Sequence, residues 1–281
     1  MRNRTILILG ARGMLAQDLA KVFQKEEPVL WDIENLDITD RKMVDKRIGE
    51  LKPNLIINAA AYTNVDKAET EKKMAFEINN KAVGYLAKIA VKTGAILIHF
   101  STDYVFGQEK KEGYKERDIP KNPTSVYGES KLKGEEKILK EGGLKYYLIR
   151  SSWLFGPSTE RKYKNFVEII LNLAFKNKEI KVVNDQFGKP SYTLDVAKRV
   201  KFLIENKKPF GIYHLVNEES TTWYEFAKNI IKIVGLKTQI IPCKTEEFLR
   251  LAKRPKYSIL LNTKLPKLRS WKEALKDYFY D

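Results

Sequence analysis

The chain has 281 residues, 43% of them hydrophobic and 31% charged, with a formal net charge of +16, enough for one large domain or two modest ones with a sizeable core. Its one cysteine, Cys243, excludes an intrachain disulfide and fits a reducing cytoplasm, and no apolar run approaches the roughly 18 residues a membrane span needs. The lysines interleave with acids, as in Glu135-Glu136-Lys137 and Lys244-Thr245-Glu246-Glu247, so the charge reads as a solvated, ion-paired surface of the kind enriched at high growth temperature rather than as a nucleic-acid patch.

Met1 to Arg4 leads directly into Thr5-Ile6-Leu7-Ile8-Leu9, too short for a signal sequence and shaped like a strand buried on both faces of a parallel sheet. It runs into Gly10-Ala11-Arg12-Gly13-Met14-Leu15-Ala16, a Gly-x-x-Gly-x-x-Ala turn followed by an amphipathic helix through Phe23. Glycines after a first strand let the backbone turn tightly and approach a pyrophosphate resting on the helix N-terminus. A second strand, Val29-Leu30-Trp31, ends at Asp32, 22 positions after Gly10 and near the ~20 expected of an acid holding a ribose 2′-hydroxyl. Asp32 favours NADH, whereas Arg12 would suit the 2′-phosphate of NADPH; each is equally well read as an exposed turn residue. Leu36 to Asp40, with Asp37 and Ile38, lies where a loop would flank an adenine and offers an N-cap for a helix through Leu51.

Asn54 to Asn58 is the next strand and opens into Ala59-Ala60-Ala61, where a flat cofactor can lie against the backbone. A helix is predicted from Lys73 to Lys92, with Ala75, Ile78, Ala82, Leu86 and Ile89 as its apolar stripe and Asn79 as the polar exception. Asn79 is read either as a bracket for a neighbouring loop or as a water-holding group. Ala95 to Phe100 is a central strand ending at Ser101-Thr102-Asp103, where open α/β sheets bind ligands. His99 and His214 lie in two separate strands, which makes a zinc site a poor reading. Cys243, in Ile240-Ile241-Pro242-Cys243, is read as a buried apolar residue.

A polar loop, Gly107 to Thr124, precedes a helix carrying Tyr127 and Lys131. Four residues apart, they sit one above the other on one helix face. A phenol beside a cation is a proton donor whose ionised form is favoured, and the Thr102 hydroxyl could share the oxygen that receives the proton. Three such groups around a carbonyl suit ketone reduction. The strand Tyr146 to Arg150 leads into Ser151-Ser152-Trp153-Leu154-Phe155-Gly156-Pro157. Strand and helix alternate up to this point, which predicts an α/β, Rossmann-like, doubly wound parallel sheet. Beyond it come a helix over Lys164 to Phe175, a strand Ile180 to Val183, a turn-rich loop Asn184 to Pro190, a helix Asp195 to Leu203, the His214 strand returning to the sheet, a hydroxyl-capped helix from Thr221-Thr222 and a last helix Trp271 to Tyr278. The expected division is a dinucleotide-binding domain over 1–153, with a returning segment near 188–216, and a smaller, mostly substrate-binding domain over 154–281.

Together, Gly10 to Gly13, Asn58 to Glu69, Ser101 to Phe106, Tyr127 to Leu132, Arg150 to Trp153, Asp185 to Gly188, Gly211 to Leu215, Arg254-Pro255 and Leu261-Asn262-Thr263 resemble the dTDP-4-dehydrorhamnose reductase family of extended short-chain dehydrogenases/reductases over nearly the whole chain. The resemblance implies reduction of a nucleotide-sugar C4 ketone with NADPH or NADH. Tyr127 would donate the proton, Lys131 would lower its pKa and hold the nicotinamide ribose, and Thr102 would hydrogen-bond the same oxygen. Thr63, Val65, Asp103, Phe106 and Trp153 would surround the dTDP-sugar, and Arg254 would meet its diphosphate. Ala16 stands where the fingerprint has a third glycine, a change the fold tolerates. The resemblance also implies, for some members, a homodimer assisted by Mg²⁺, for which the sequence offers no evident ligands.

Two other functions stay open at this level. Related dehydratases have Glu after Thr-Asp, and here that position is Tyr104, which argues against dehydration; epimerisation is harder to separate because Asp103 could move a proton. A non-catalytic role is the other, since the family resembles the regulatory β-subunit of methionine adenosyltransferase.

Overall fold

A computed structural model describes residues 5–157 and 165–280. Its elements, in chain order, are β1 (Ile6–Leu9), α1 (Met14–Val22), β2 (Val29–Trp31), α2 (Arg41–Leu51), β3 (Leu55–Asn58), α3 (Lys67–Thr70), α4 (Lys72–Phe76), α5 (Ala82–Thr93), β4 (Ile96–Thr102), α6 (Val126–Lys140), β5 (Lys145–Ser151) and β6 (Leu154–Phe155). They continue with α7 (Phe166–Ala174), β7 (Glu179–Val183), β8 (Phe187–Gly188), β9 (Ser191–Tyr192), α8 (Thr193–Glu205), β10 (Gly211–His214), β11 (Thr221–Thr222), α9 (Trp223–Val234), β12 (Gln239–Cys243) and α10 (Trp271–Tyr280). Lys164, where the helix now seen as α7 was expected to start, lies outside the described residues, as do Met1 to Arg4.

Six parallel strands form the central sheet in the order β10-β5-β4-β3-β1-β2. Period-2 alternation sorts the strand side chains onto two covered faces. Ile6, Ile8, Leu55, Ile57, Ile98 and Ile149 pack with α1 and α8 residues such as Leu19 and Val200. Leu7, Leu9, Ile56, Leu97 and Leu148 pack with Val44, Ile48, Leu86 and Ile89 from α2 and α5. The continuous apolar runs are therefore what two-sided burial demands. The His214 strand returns to the sheet edge beside β5, as expected from the sequence.

The helix predicted over Lys73 to Lys92 is interrupted. Between α4 and α5 the chain makes one π turn, Glu77–Lys81. Within this turn Asn79 is buried and bonds Ser130 of α6. Beyond β5, a separate core of Phe155, Val167, Ile170, Ile180, Phe226, Ile230, Trp271 and Leu275 gathers α7, α9 and α10 on the parallel pair β7-β12. Cys243 is buried there, at the end of β12. Among the described residues no helix is long and apolar enough to cross a membrane.

Candidate active site

The glycine turn is shaped by contact. Gly10 has φ +74° and lies so close to Ala60 that a Cβ would fall 2.7 Å from its backbone; only glycine fits both the conformation and the space. Gly13 is the N-cap of α1, and no side chain caps that terminus. The first-turn N–H groups, with the positive end of the helix dipole, could therefore hold a pyrophosphate. Met14 is half-buried and Leu15 is in the core, so at these positions it is the backbone that can meet a phosphate.

At the end of β2, Asp32 accepts the Arg12 N–H at 2.9 Å and the Ile33 N–H at 2.8 Å, and the Arg12 guanidinium lies 3.2 Å from Asp32 and 2.7 Å from Glu34. Burial alone would raise the Asp32 carboxyl; the Arg12 N–H, the Ile33 N–H and the Arg12 side chain outweigh it and hold it below the usual carboxylate range. The two residues weighed against each other from the sequence are thus partners. Asp37 spends its carboxylate on the Thr39 N–H and hydroxyl, and Ile38 packs in the core.

The loop after β3 carries Ala59, Ala60 and Ala61, all partly exposed, then Thr63 and Val65. Asn79 fixes this loop: its amide donates to the Tyr62 carbonyl at 2.9 Å and accepts the Tyr62 N–H at 2.9 Å. It also donates to Ser130 Oγ at 3.0 Å, one residue before Lys131. Asn79 is the bracket of the two readings. Glu69 Oε1 accepts the Val126 N–H at 2.9 Å, and Ser125 Oγ accepts the Gly128 N–H. A carboxylate and a hydroxyl cap on the first turn of α6 set the start of the helix that carries Tyr127.

Thr102 ends β4, and Asp103 follows it; both are buried. Thr102 donates its hydroxyl to Asp103 Oδ1 at 2.9 Å and lies beside the Tyr127 phenol. Burial pushes the Asp103 carboxyl up to about 7, against hydrogen bonding from the Ser258 and Thr102 hydroxyls. The Lys131 ammonium is buried and donates to the Phe100 carbonyl at 2.6 Å. Burial lowers its pKa to about 8, and Glu135 opposes that shift.

The expectation that Lys131 would lower the Tyr127 phenol does not hold in the protein alone. Burial pushes the phenol up to about 12, Thr102 opposes and the Asp103 charge adds to the rise. The Lys131 ammonium is tied to the Phe100 carbonyl, and the loss of water on burial dominates the phenol.

Beneath the site, Arg150 and Glu135 form a buried two-point ion pair at 3.0 and 2.7 Å. Ser101 donates to the same carboxylate. The Arg150 guanidinium lies 5.0 Å over the Phe106 ring, which stacks on Tyr114 at 4.1 Å. Phe106 is fully buried, so its ring supports the site from below and is not available to a sugar as the sequence led us to expect. Both histidines are neutral sheet residues. His99 Nδ1 meets the Asn58 amide at 3.0 Å, and burial lowers His214 to about 3.

Trp153 has a left-handed backbone, φ +46°, unusual for a bulky residue and a mark of local strain. Its indole stacks on Trp223 at 3.5 Å and lies against Gly188, where a Cβ would fall 2.4 Å from the ring. Arg254 is engaged by Asp66 through both nitrogens, at 3.0 and 2.7 Å. A cavity of about 240 Å³ lies alongside, lined by Gly107, Thr124, Gln186, Thr245, Lys253 and Arg254 among others. Reading the sequence missed Trp223, Glu69, Asp66 and Ser258. Glu69 and Asp66 stand inside the Asn58 to Glu69 motif; Ser258 carries no local signal. Among the described residues no group of three or more His, Cys, Asp or Glu could hold a metal ion, so the Mg²⁺ implied by the resemblance gains no ligand set.

The RmlD substrate binding domain model matches residues 4–281. A dTDP-4-dehydrorhamnose reductase of Aggregatibacter actinomycetemcomitans is 39% identical over 97% of this chain and 97% of its own. The spore coat polysaccharide biosynthesis protein SpsK of Bacillus subtilis is 36% identical over 98% and 97%. The crystal structure of dTDP-4-dehydrorhamnose reductase from Bacillus anthracis in complex with NADP superposes with a TM-score of 0.93 at 37% identity, covering 99% of both chains. With the glycine turn, the Thr102-Tyr127-Lys131 cluster and the six-stranded sheet in place, the chain belongs to the dTDP-4-dehydrorhamnose reductase family.

Proposed function

We propose that the protein reduces the C4 ketone of dTDP-4-dehydro-L-rhamnose to dTDP-L-rhamnose with NAD(P)H. The observation that carries this reading is the convergence of Thr102, Tyr127 and Lys131 at the carboxyl end of β4. A bound nicotinamide dinucleotide supplies the hydride. Tyr127, whose phenol stays protonated at neutral pH, donates its proton to the C4 oxygen. Thr102 shares that oxygen and limits the charge that builds on it. Lys131 holds the nicotinamide ribose, while Gly10, Gly13 and the start of α1 take the pyrophosphate.

Thr63, Val65, Asp103 and Trp153 would surround the sugar. Asp103, buried with its Oδ2 unpartnered, would offer that oxygen to a sugar hydroxyl. Arg12 would meet the 2′-phosphate of NADPH, with Asp32 keeping the guanidinium at the mouth of the adenosine site. NADPH oxidation measured against dTDP-, UDP- and GDP-linked 4-ketosugars tests the reading. One NADPH consumed per dTDP-4-dehydrorhamnose supports it; turnover without net NAD(P)H consumption would point to an epimerase instead.

A further inference from the structure

We infer that Asp66 is a positioning residue for this reaction: it clasps the 250–254 segment to the loop that follows β3 and so holds the substrate cleft in its working shape. The inference rests on the reading of the cleft given above.

Asp66 and Arg254 are 188 positions apart in sequence. Asp66 Oδ1 accepts the Arg254 guanidinium at 3.0 Å and the Ala252 N–H at 3.1 Å, and Oδ2 accepts the other Arg254 nitrogen at 2.7 Å. Arg250 adds its guanidinium at 3.6 Å. Burial would raise this carboxyl, but Arg254, the Ala252 N–H and Arg250 outweigh it and hold it below the usual range. A two-point fork of this kind fixes direction as well as distance.

Little else anchors the segment. Leu249 is 96% and Leu251 71% exposed, and of the apolar side chains over 249–252 the small Ala252 methyl is the one that is buried. One further bond, Thr124 Oγ1 to the Lys253 carbonyl at 3.3 Å, links it to the approach to α6. The residues that follow are well seated. Phe187 donates its N–H to the Lys256 carbonyl, Ser258 donates to the Phe187 carbonyl at 2.8 Å, and Tyr257 stacks on Phe187. Ser258 is buried beside Asp103, the neighbour of Thr102. From the clasp to the proton-delivery cluster is thus four residues of chain and one side-chain contact. Arg254 also lines the cavity beside the site, and its guanidinium faces Asp66, so the clasp holds the side chain that the resemblance would set against the diphosphate.

The test is Asp66→Asn in the full-length protein, with three readouts. KM for dTDP-4-dehydrorhamnose should rise at least about tenfold, the scale of a lost hydrogen bond to a charged group, with kcat changed much less and NADPH affinity unchanged. Trypsin should cleave after Arg250 and Lys253 faster than in the wild type, and added dTDP should slow that cleavage. The double variant Asp66→Asn/Arg254→Gln should lose no more than Arg254→Gln alone, since the pair acts as a unit. Unchanged KM and cleavage, an equal loss of NADPH affinity, or an additive double variant would each overturn the inference. The cleavage and dTDP readouts need no turnover, so a failure of the clasp is separable from a failure of the assigned reaction.

Discussion

Thr102 donates its hydroxyl to Asp103 at 2.9 Å, which ties the last residue of β4 to the buried carboxyl that follows it. Burial keeps that carboxyl protonated up to about pH 7 in the folded chain, against 3.8 for an ordinary Asp. Between those values the folded state binds a proton the unfolded state has released. Asp103 therefore costs stability progressively as pH rises from about 4 to 7, with the full cost, at most about 4 kcal/mol, present above 7. Asp103→Asn removes the titration. Its Tm relative to the wild type should climb between pH 5 and pH 8, and a difference independent of pH would contradict the assignment.

On the proposed reading, cofactor preference turns on the Arg12–Asp32 pair. The cation stands among two carboxylates at the place where the family fold puts the adenosine ribose. Arg12→Ala should lower kcat/KM for NADPH about ten- to hundredfold, as expected for a lost charge-assisted bond, and barely change it for NADH. Equal losses with both cofactors would show that Arg12 only shapes the turn.

Gly188 gives the Trp153 indole its resting place. A methyl there meets the ring at 2.4 Å, so Gly188→Ala must displace the indole or the strand beneath it. Tryptophan emission should shift, and kcat/KM for the sugar nucleotide should fall about ten- to hundredfold from misplacement alone. NADPH affinity should be unaffected. Wild-type emission with wild-type kinetics would remove Trp153 from the sugar site.

Much of this architecture is legible in the chain because its signals are local. The apolar runs of β1, β3, β4 and β5 report burial on both faces. Asp40 and Thr222 each sit one residue before a helix and accept the expected N–H bond, and Ser125 does the same for α6. What was not legible depends on distance or on phase. The π turn at Glu77–Lys81 leaves no mark in the sequence, where Ala75, Ile78, Ala82, Leu86 and Ile89 keep ordinary helical spacing across it. Strand β12 contains Pro242, which argues against a strand in sequence, yet it is tolerated in a two-stranded pair. The Asp66–Arg254 fork and the Ser258–Asp103 neighbourhood join residues far apart in sequence, so no spacing rule announces them. The chemistry of Tyr127 was visible as a pattern, but the balance of burial against the nearby cation was not, because it depends on where the Lys131 ammonium is tied.

The central claim is that Tyr127 delivers the proton while the residues around it bind and orient. Its most direct measurement is dTDP-4-dehydrorhamnose-dependent NADPH oxidation by Tyr127→Phe, with NADPH affinity measured on the same sample. The account predicts a fall in kcat of about 10²- to 10⁴-fold, the usual contribution of a positioned general acid, with NADPH affinity close to that of the wild type. Turnover near the wild-type rate by Tyr127→Phe would contradict it.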